Sequence, residues 1–483
     1  MSVRTGAEYI EGLRDSREVW FEGVRVDDVT THEQFRPAIE SFARLYDMQH
    51  DAALRETLVV EDSEFGEPIA RSFHMPRTVE DLIAKRDAYI AWARSNCGML
   101  GRSPDFLNAM VTSLAAKRDF FAEGGEARAD AVVGYYEHIA RNDLFLTHAL
   151  LDPQLDKGKL RHEQSDPGIC LRVTDENADG IILNGLKRIA TVAPFADEIL
   201  VWPFPPTFQP GEEDYANVFA IKMDTPGLKT ICRPSFARPG AVRDYPLSSR
   251  FDEMDATVVF ENVLVPWDRI FVHKNIPLLN RMYRDSRMRE MTAHQTNARL
   301  EVKLGFVYAL IQRLAESQGL ANRPEVMEML GEAAVKVEVI RSTTRSAELQ
   351  ATVDEENGLI YPDLVALQAG RALGPIYYPE LVNMVRKMSG GALMQQPVSL
   401  DEFESPMGDA LEKALRGADI SGEQRSQLLK LAWDICGTEF GSRHVLYEMN
   451  YAGERSALVA GIQREYSRKQ EWLDYLDEFI GAL

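Results

Sequence analysis

The stretch Gly180-Ile181-Ile182-Leu183-Asn184-Gly185-Leu186-Lys187-Arg188-Ile189-Ala190-Thr191 lies where the texture of this 483-residue chain changes. It opens on a short apolar run, 180–183, broken by Asn184 and Gly185, the pattern of a strand ended by a turn. Comparable runs occupy 169–173, 198–202, 217–222, 230–232 and 257–260, separated by Pro, Gly, Asn and Asp. Together they predict a compact antiparallel β barrel or sandwich between Asp152 and His273. On the amino-terminal side, apolar residues recur three and four apart among charges, as in 79–96 and 126–141. The segment Arg77-Thr78-Val79-Glu80-Asp81 has the composition of a helix start. On the carboxy-terminal side the helical period returns in long blocks, 286–317, 323–351, 361–388, 421–436 and 463–480, which predict an antiparallel bundle.

The class is therefore α+β, with domains expected at 1–150 (mainly helical), 151–275 (β) and 276–483 (helical). The order resembles the acyl-CoA dehydrogenase-like architecture: a helical domain, a central antiparallel β barrel and a carboxy-terminal four-helix bundle, with a flavin held between barrel and bundle. Such an analogy concerns fold and leaves chemistry open.

Composition narrows the field further. Lys and Arg number 54 against 75 Asp and Glu, a formal net charge of −21, so there is no cationic surplus for nucleic acid or an anionic membrane. Local cationic pockets for small anions remain compatible with that balance. No run approaches the ~18–20 apolar residues of a membrane span, and the charged start of the chain lacks a signal-peptide core. Cys97, Cys170, Cys232 and Cys436 are far apart with no Cys-x-x-Cys pair, which fits unpaired thiols in a reducing cytoplasm and no metal site.

Four clusters carry residues suited to chemistry. In Gly101-Arg102-Ser103-Pro104-Asp105-Phe106, a guanidinium on a Gly/Pro-shaped turn can hold an oxyanion through fixed donors. It also reads as an ordinary arginine near a helix cap. His148, in Asn142-Asp143-Leu144-Phe145-Leu146-Thr147-His148-Ala149, can donate to a phenolic oxygen or move a proton, or be a satisfied core histidine. Thr191 is a compact partner for a flavin ring nitrogen, and equally a good strand residue. His294 and Arg443 sit on long helical blocks, where such side chains are most often solvated or capping.

Taken in order, these clusters resemble the 4-hydroxyphenylacetate 3-hydroxylase family, the oxygenase components of two-component flavin monooxygenases. The resemblance begins at Arg4-Thr5-Gly6-Ala7-Glu8-Tyr9, Asp27-Asp28-Val29-Thr30-Thr31-His32 and Ala43-Arg44-Leu45-Tyr46-Asp47. It continues through Gly101–Asp105, Asn142–Ala149, Ala190-Thr191 and Glu261-Asn262-Val263 to Gly437-Thr438-Glu439-Phe440-Gly441-Ser442-Arg443-His444, essentially the whole chain.

The resemblance implies a reaction and a division of labour. A separate reductase uses NAD(P)H to make FADH2, which reaches this protein by diffusion. O2, the co-substrate, then forms a C4a-hydroperoxyflavin that hydroxylates a bound phenol ortho to its hydroxyl. Arg102, His148 and His294 are implied as catalytic, with Arg102, Ser103, Phe106, His148, Pro203 and Phe204 on the phenol. Gln154, Lys157, Thr191, Thr438 and Arg443 are implied as FAD contacts. A cytoplasmic homotetramer or homodimer is the expected assembly. The chain has no Gly-x-Gly-x-x-Gly, in keeping with a protein that leaves NAD(P)H to its reductase.

One residue departs from the family pattern: Phe106 follows the Arg-Ser-Pro-Asp motif where tyrosine is usual, so one phenol-directed hydroxyl is missing. This predicts a phenol other than simple 4-hydroxyphenylacetate. Two other flavin chemistries share the fold. A 4-hydroxybutyryl-CoA dehydratase needs converging cluster cysteines, and here position 101 is Gly101 and no cysteine follows His294 before Cys436. An acyl-CoA dehydrogenase needs a glutamate base and permanently bound FAD.

Overall fold

The structure is a computed structural model that describes residues 3–153, 156–204, 207–451 and 453–482. By its contacts the chain divides into two units, Met1–Gln295 with Val353–Tyr361, and Thr296–Thr352 with Pro362–Leu483.

In the first unit, helix Val79–Ser95 starts where the sequence predicts. Thr78 Oγ1 accepts from the Asp81 N–H at 3.2 Å, and the Asp81 carboxylate accepts from the Thr78 N–H at 2.9 Å. This reciprocal cap satisfies two otherwise unpaired donors. Helix Pro104–Ala116 begins on proline, whose missing N–H is no loss in a first turn, and is buried along nearly its whole length. Helix Glu126–Asn142 closes on Asp143 in a left-handed conformation.

The β region is two open sheets. One has the order Val24–Val26, Glu18–Phe21, Leu228–Cys232, Asp255–Pro266, Gly180–Thr191, Arg172–Glu176. The other runs Ile270–Val272, Val218–Lys222, Glu198–Val201, Leu146–Ala149. Their inner faces share a core in which Ile181, Val258 and Phe260 of the first sheet meet Ile199, Phe219 and Ile221 of the second. The Phe219 and Phe260 rings meet edge to face at 6.2 Å.

The expectation of an antiparallel barrel is thus corrected. Among the described residues no sheet closes, and two pairings are parallel: Glu18–Phe21 with Leu228–Cys232, and Leu146–Ala149 with Glu198–Val201. Both parallel partners come from outside the β-rich stretch, so local texture could not announce them. Leu146–Ala149 is buried on both faces because helix Pro104–Ala116 packs on the side away from the shared core. A strand of that kind loses the alternation that marks a half-exposed one.

In the second unit helix Leu364–Ser389 packs against Pro324–Leu349, Gly422–Cys436, Glu439–Asn450 and Arg455–Glu465. Gly374 of that helix lies against the Leu300 side chain, and Gly370 against Thr343 and Asn297; larger residues there would clash. The block expected at 463–480 is two helices, Arg455–Glu465 and Lys469–Gly481, parted by the extended backbone of Tyr466. Among the described residues no helix is long and apolar enough to cross a membrane.

Candidate active site

Chain geometry brings the first two clusters together inside the first unit. Arg102 and Ser103 form the turn that enters helix Pro104–Ala116, and Phe106 lies in its first turn. His148 comes from the buried strand Leu146–Ala149 against which that helix packs. The Arg102 guanidinium lies over the Phe106 ring at 4.2 Å. The Phe106 ring meets His148 edge to face at 5.8 Å, and His148 meets Trp202 in the same way at 5.4 Å. Trp202 follows strand Glu198–Val201, the parallel neighbour of the His148 strand. The result is a buried arc of cation, arene, imidazole and indole.

Several polar atoms of this arc and its neighbourhood are buried with no hydrogen-bond partner among the described residues: Nδ1 of His148, Nε1 of Trp202 and the hydroxyl of Tyr89. Folded proteins rarely leave such atoms unpaired unless a ligand or water completes them. Burial, reinforced by the Arg102 charge, lowers the His148 pKa to about 3. At neutral pH its imidazole is therefore uncharged and keeps acceptor capacity. The Arg102 backbone N–H donates to the Glu253 carboxylate at 2.6 Å, which ties the turn to the β region.

Ser103 is held by its neighbour. Its hydroxyl donates to the Asp105 carboxylate at 2.5 Å. Burial pushes the Asp105 carboxyl up to about 6, opposed by hydrogen bonds from Ser103 and Gln295. Gln295 and His294 are both buried in helix Met288–Ser317, and the His294 ring stands edge-on to Tyr89 at 5.9 Å. Pro203 and Phe204 follow Trp202; the Phe204 N–H donates to the Leu150 carbonyl at 3.2 Å and its ring meets Tyr283 at 5.3 Å.

Thr191, at the end of strand Gly180–Thr191, joins the same region. Its carbonyl accepts from the Thr147 hydroxyl at 2.6 Å, next door to His148, and its own hydroxyl donates to Asp255 at 2.7 Å. The residues around it are strained: Ile189 has φ of 58° and Val192 of 61°. β-Branched residues rarely adopt that left-handed region, and such outliers concentrate at functional sites.

The remaining predicted cofactor contacts lie on other segments. Lys157 is exposed on a turn, and Gln154 lies outside the described residues. Thr438 and Arg443 belong to the second unit, where Thr438 caps helix Glu439–Asn450 by accepting from the Gly441 N–H at 3.1 Å. The Arg443 guanidinium lies 5.5 Å from the Tyr447 ring centre. A separate groove of about 620 Å³, lined in part by Trp20, Ile231, Arg233 and Val259, includes none of the predicted site residues.

The chain matches two family profiles in tandem, the 4-hydroxyphenylacetate 3-hydroxylase N-terminal domain over residues 5–272 and its C-terminal domain over 279–481. The chain belongs to the 4-hydroxyphenylacetate 3-hydroxylase family. It is 37% identical to the 4-hydroxyphenylacetate 3-monooxygenase oxygenase component of Geobacillus sp., over 99% of this chain and 97% of that protein. It is 38% identical to the protein of the same name from Thermus thermophilus, over 97% and 95%. A crystal structure of such an oxygenase component, complexed with FAD and 4-hydroxyphenylacetate, superposes with a TM-score of 0.93 at 37% identity and 99% coverage of each chain.

Family membership accounts for the quoted motifs, whereas several neighbours of the site belong to no such motif. Asp105 stood inside the quoted Arg102 motif, and Trp202 opens the short loop Trp202-Pro203-Phe204 that the resemblance places over the substrate. Asp255, Glu253 and Tyr89 had no such signal, because their neighbours in space lie far off in sequence.

Proposed function

We infer that this chain is the oxygenase component of a reduced-flavin-dependent monooxygenase that hydroxylates a phenol ortho to its hydroxyl group. The carrying observation is the buried arc of Arg102, Phe106, His148 and Trp202, with unfilled hydrogen-bonding capacity at His148 and Trp202. The residues present fit a flavin as well as a phenol, since Thr191 holds a buried, oriented hydroxyl at a strained strand end. FAD, reduced by a separate NAD(P)H-dependent reductase, supplies the electrons that activate dioxygen.

The protein's own side chains do the rest. Arg102 stabilises negative charge on the phenol oxygen, which makes the ortho carbon electron-rich. His148, uncharged, orients that oxygen by hydrogen bonding and does not store the proton. Phe106, Trp202, Pro203 and Phe204 wall the ring and exclude water. Thr191 faces the flavin ring nitrogen, with Gln154, Lys157, Thr438 and Arg443 as further flavin contacts. His294, beside Tyr89, serves as the base that takes the phenolic proton. Ser103 acts through Asp105.

The three segments 1–150, 151–275 and 276–483 are read as a mainly helical domain that carries the substrate turn, a β scaffold and a helical bundle. The bundle is read as a four-helix core of Met288–Ser317, Pro324–Leu349, Leu364–Ser389 and Gly422–Cys436 with later helices added. Free thiols at all four cysteines suit the cytoplasm. On helix Lys469–Gly481 the side chains of Trp472, Leu476, Phe479 and Ile480 are exposed along one face, which supports assembly into a homodimer or homotetramer. The test is oxygen consumption with photoreduced FAD across a panel of phenols, following product mass. A phenol that gains one oxygen atom supports the reading; flavin reoxidation with no oxygenated product across the panel rejects it.

A further inference from the structure

The hydroxyl of Thr191 has its direction fixed. Asp255 stands directly opposite Thr191 in the antiparallel ladder, so both side chains share one face of the sheet. Thr191 Oγ1 donates to Asp255 Oδ1 at 2.7 Å. The other carboxylate oxygen, Oδ2, accepts from Arg233 Nε at 2.9 Å. Arg233 is itself held, with Nη2 donating to Asp252 at 2.6 Å and to the Glu253 carbonyl at 2.8 Å. An ionised carboxylate only accepts, and a hydroxyl has one proton to give. With that proton committed to Asp255, the Thr191 oxygen can offer a neighbour nothing but lone pairs.

Flavin N5 changes character on reduction: the oxidised ring presents a lone pair there, and the two-electron-reduced ring presents an N–H. We propose that Asp255, fixed by Arg233, is a positioning residue that makes Thr191 a pure acceptor and so selects reduced over oxidised flavin. This rests on the reading that Thr191 stands beside N5. Reduced flavin gains a hydrogen bond, whereas oxidised flavin sets two lone pairs against each other, the asymmetry by which a polar site rejects a mismatched partner. The protein thereby takes up FADH2 from solution and releases FAD after turnover.

Anaerobic titrations of the full chain with oxidised and with dithionite-reduced FAD give two dissociation constants, whose ratio is independent of turnover. Wild type binds the reduced form more tightly. Asp255→Asn, whose amide can donate to the Thr191 oxygen and free the hydroxyl proton, shrinks the ratio about tenfold, ~1.4 kcal/mol. Arg233→Gln, which keeps the carboxyl and removes its guanidinium, shrinks it severalfold and serves if the first variant does not fold. Thr191→Ser keeps the ratio, and Thr191→Val lowers it. A ratio lowered by Thr191→Val but untouched by both Asp255→Asn and Arg233→Gln overturns the proposal and leaves the site reading standing. Constants unmoved by Thr191→Val remove Thr191 from the flavin, and both fall together.

Discussion

Two buried polar clusters of this chain are built on opposite plans. In the second unit Glu448 is fully buried and takes Arg299 through both oxygens, at 2.7 and 3.0 Å, and Lys303 at 2.9 Å. Burial pushes its carboxyl up, but Arg299 and Lys303 outweigh that and hold it at about 2. In the first unit, Arg102, Phe106, His148 and Trp202 touch through ring faces and edges while hydrogen-bonding atoms of His148 and Trp202 remain unfilled. The first plan closes charges on each other and fixes helix positions. The second leaves capacity for a ligand. Burial alone does not separate the two: one holds a carboxylate paired with cations, the other a cation set over an arene.

The largest expected effect lies in the closed cluster. Glu448→Ala leaves two cations buried without their carboxylate, at about 3–5 kcal/mol. Thermal or urea unfolding should show a destabilisation of that size, and an unchanged midpoint would break the contrast. Arg102→Ala should act the other way round, lowering kcat/KM for the phenol by about 10²–10³ with a smaller shift in unfolding midpoint than Glu448→Ala. Equal losses of stability in the two variants would make the arc a structural cluster like the other.

Acid sharpens the comparison, because both groups have folded pKa values below their unfolded ones. The unfolded chain then binds more protons, so stability is lost as pH falls, but in different windows. His148 contributes loss from about 6.5 downward to about 3, up to ~1.4 kcal/mol per pH unit. Glu448 contributes from about 4.5 down to about 2. His148→Gln should flatten the stability profile between pH 6.5 and 4.5, as read by urea midpoints across that range; an unaltered slope would show that His148 is not held neutral. The smallest effect is Phe106→Tyr, which adds one hydroxyl to the arc. It should reorder kcat/KM among phenols by about 0.5–1.5 kcal/mol, measured with competing substrates.

The helices were legible because an amphipathic period is a local property. Val79–Ser95, Glu126–Asn142 and Gly422–Cys436 lie within a residue or two of their predicted bounds. The Arg102 and His148 motifs were likewise contiguous in sequence. Strand Leu146–Ala149 escaped notice since it is covered on both faces and shows no alternation. The strand opened by Gly180 was expected to end at Leu183 and runs to Thr191, its register shifting opposite Asp255–Pro266. The two shifts cancel, so Thr191 meets Asp255 in the same register in which Gly180 meets Pro266.

The order of amino acids alone determined the helix–strand–helix succession, the excess of negative charge and the family motifs, because period, composition and contiguous pattern are written along the chain. Only tertiary structure decided that two open sheets replace a closed barrel, that His148 is uncharged, and that Thr191 gives its proton to Asp255. Each of those depends on groups far apart in sequence meeting where water is excluded, and no local rule encodes such meetings.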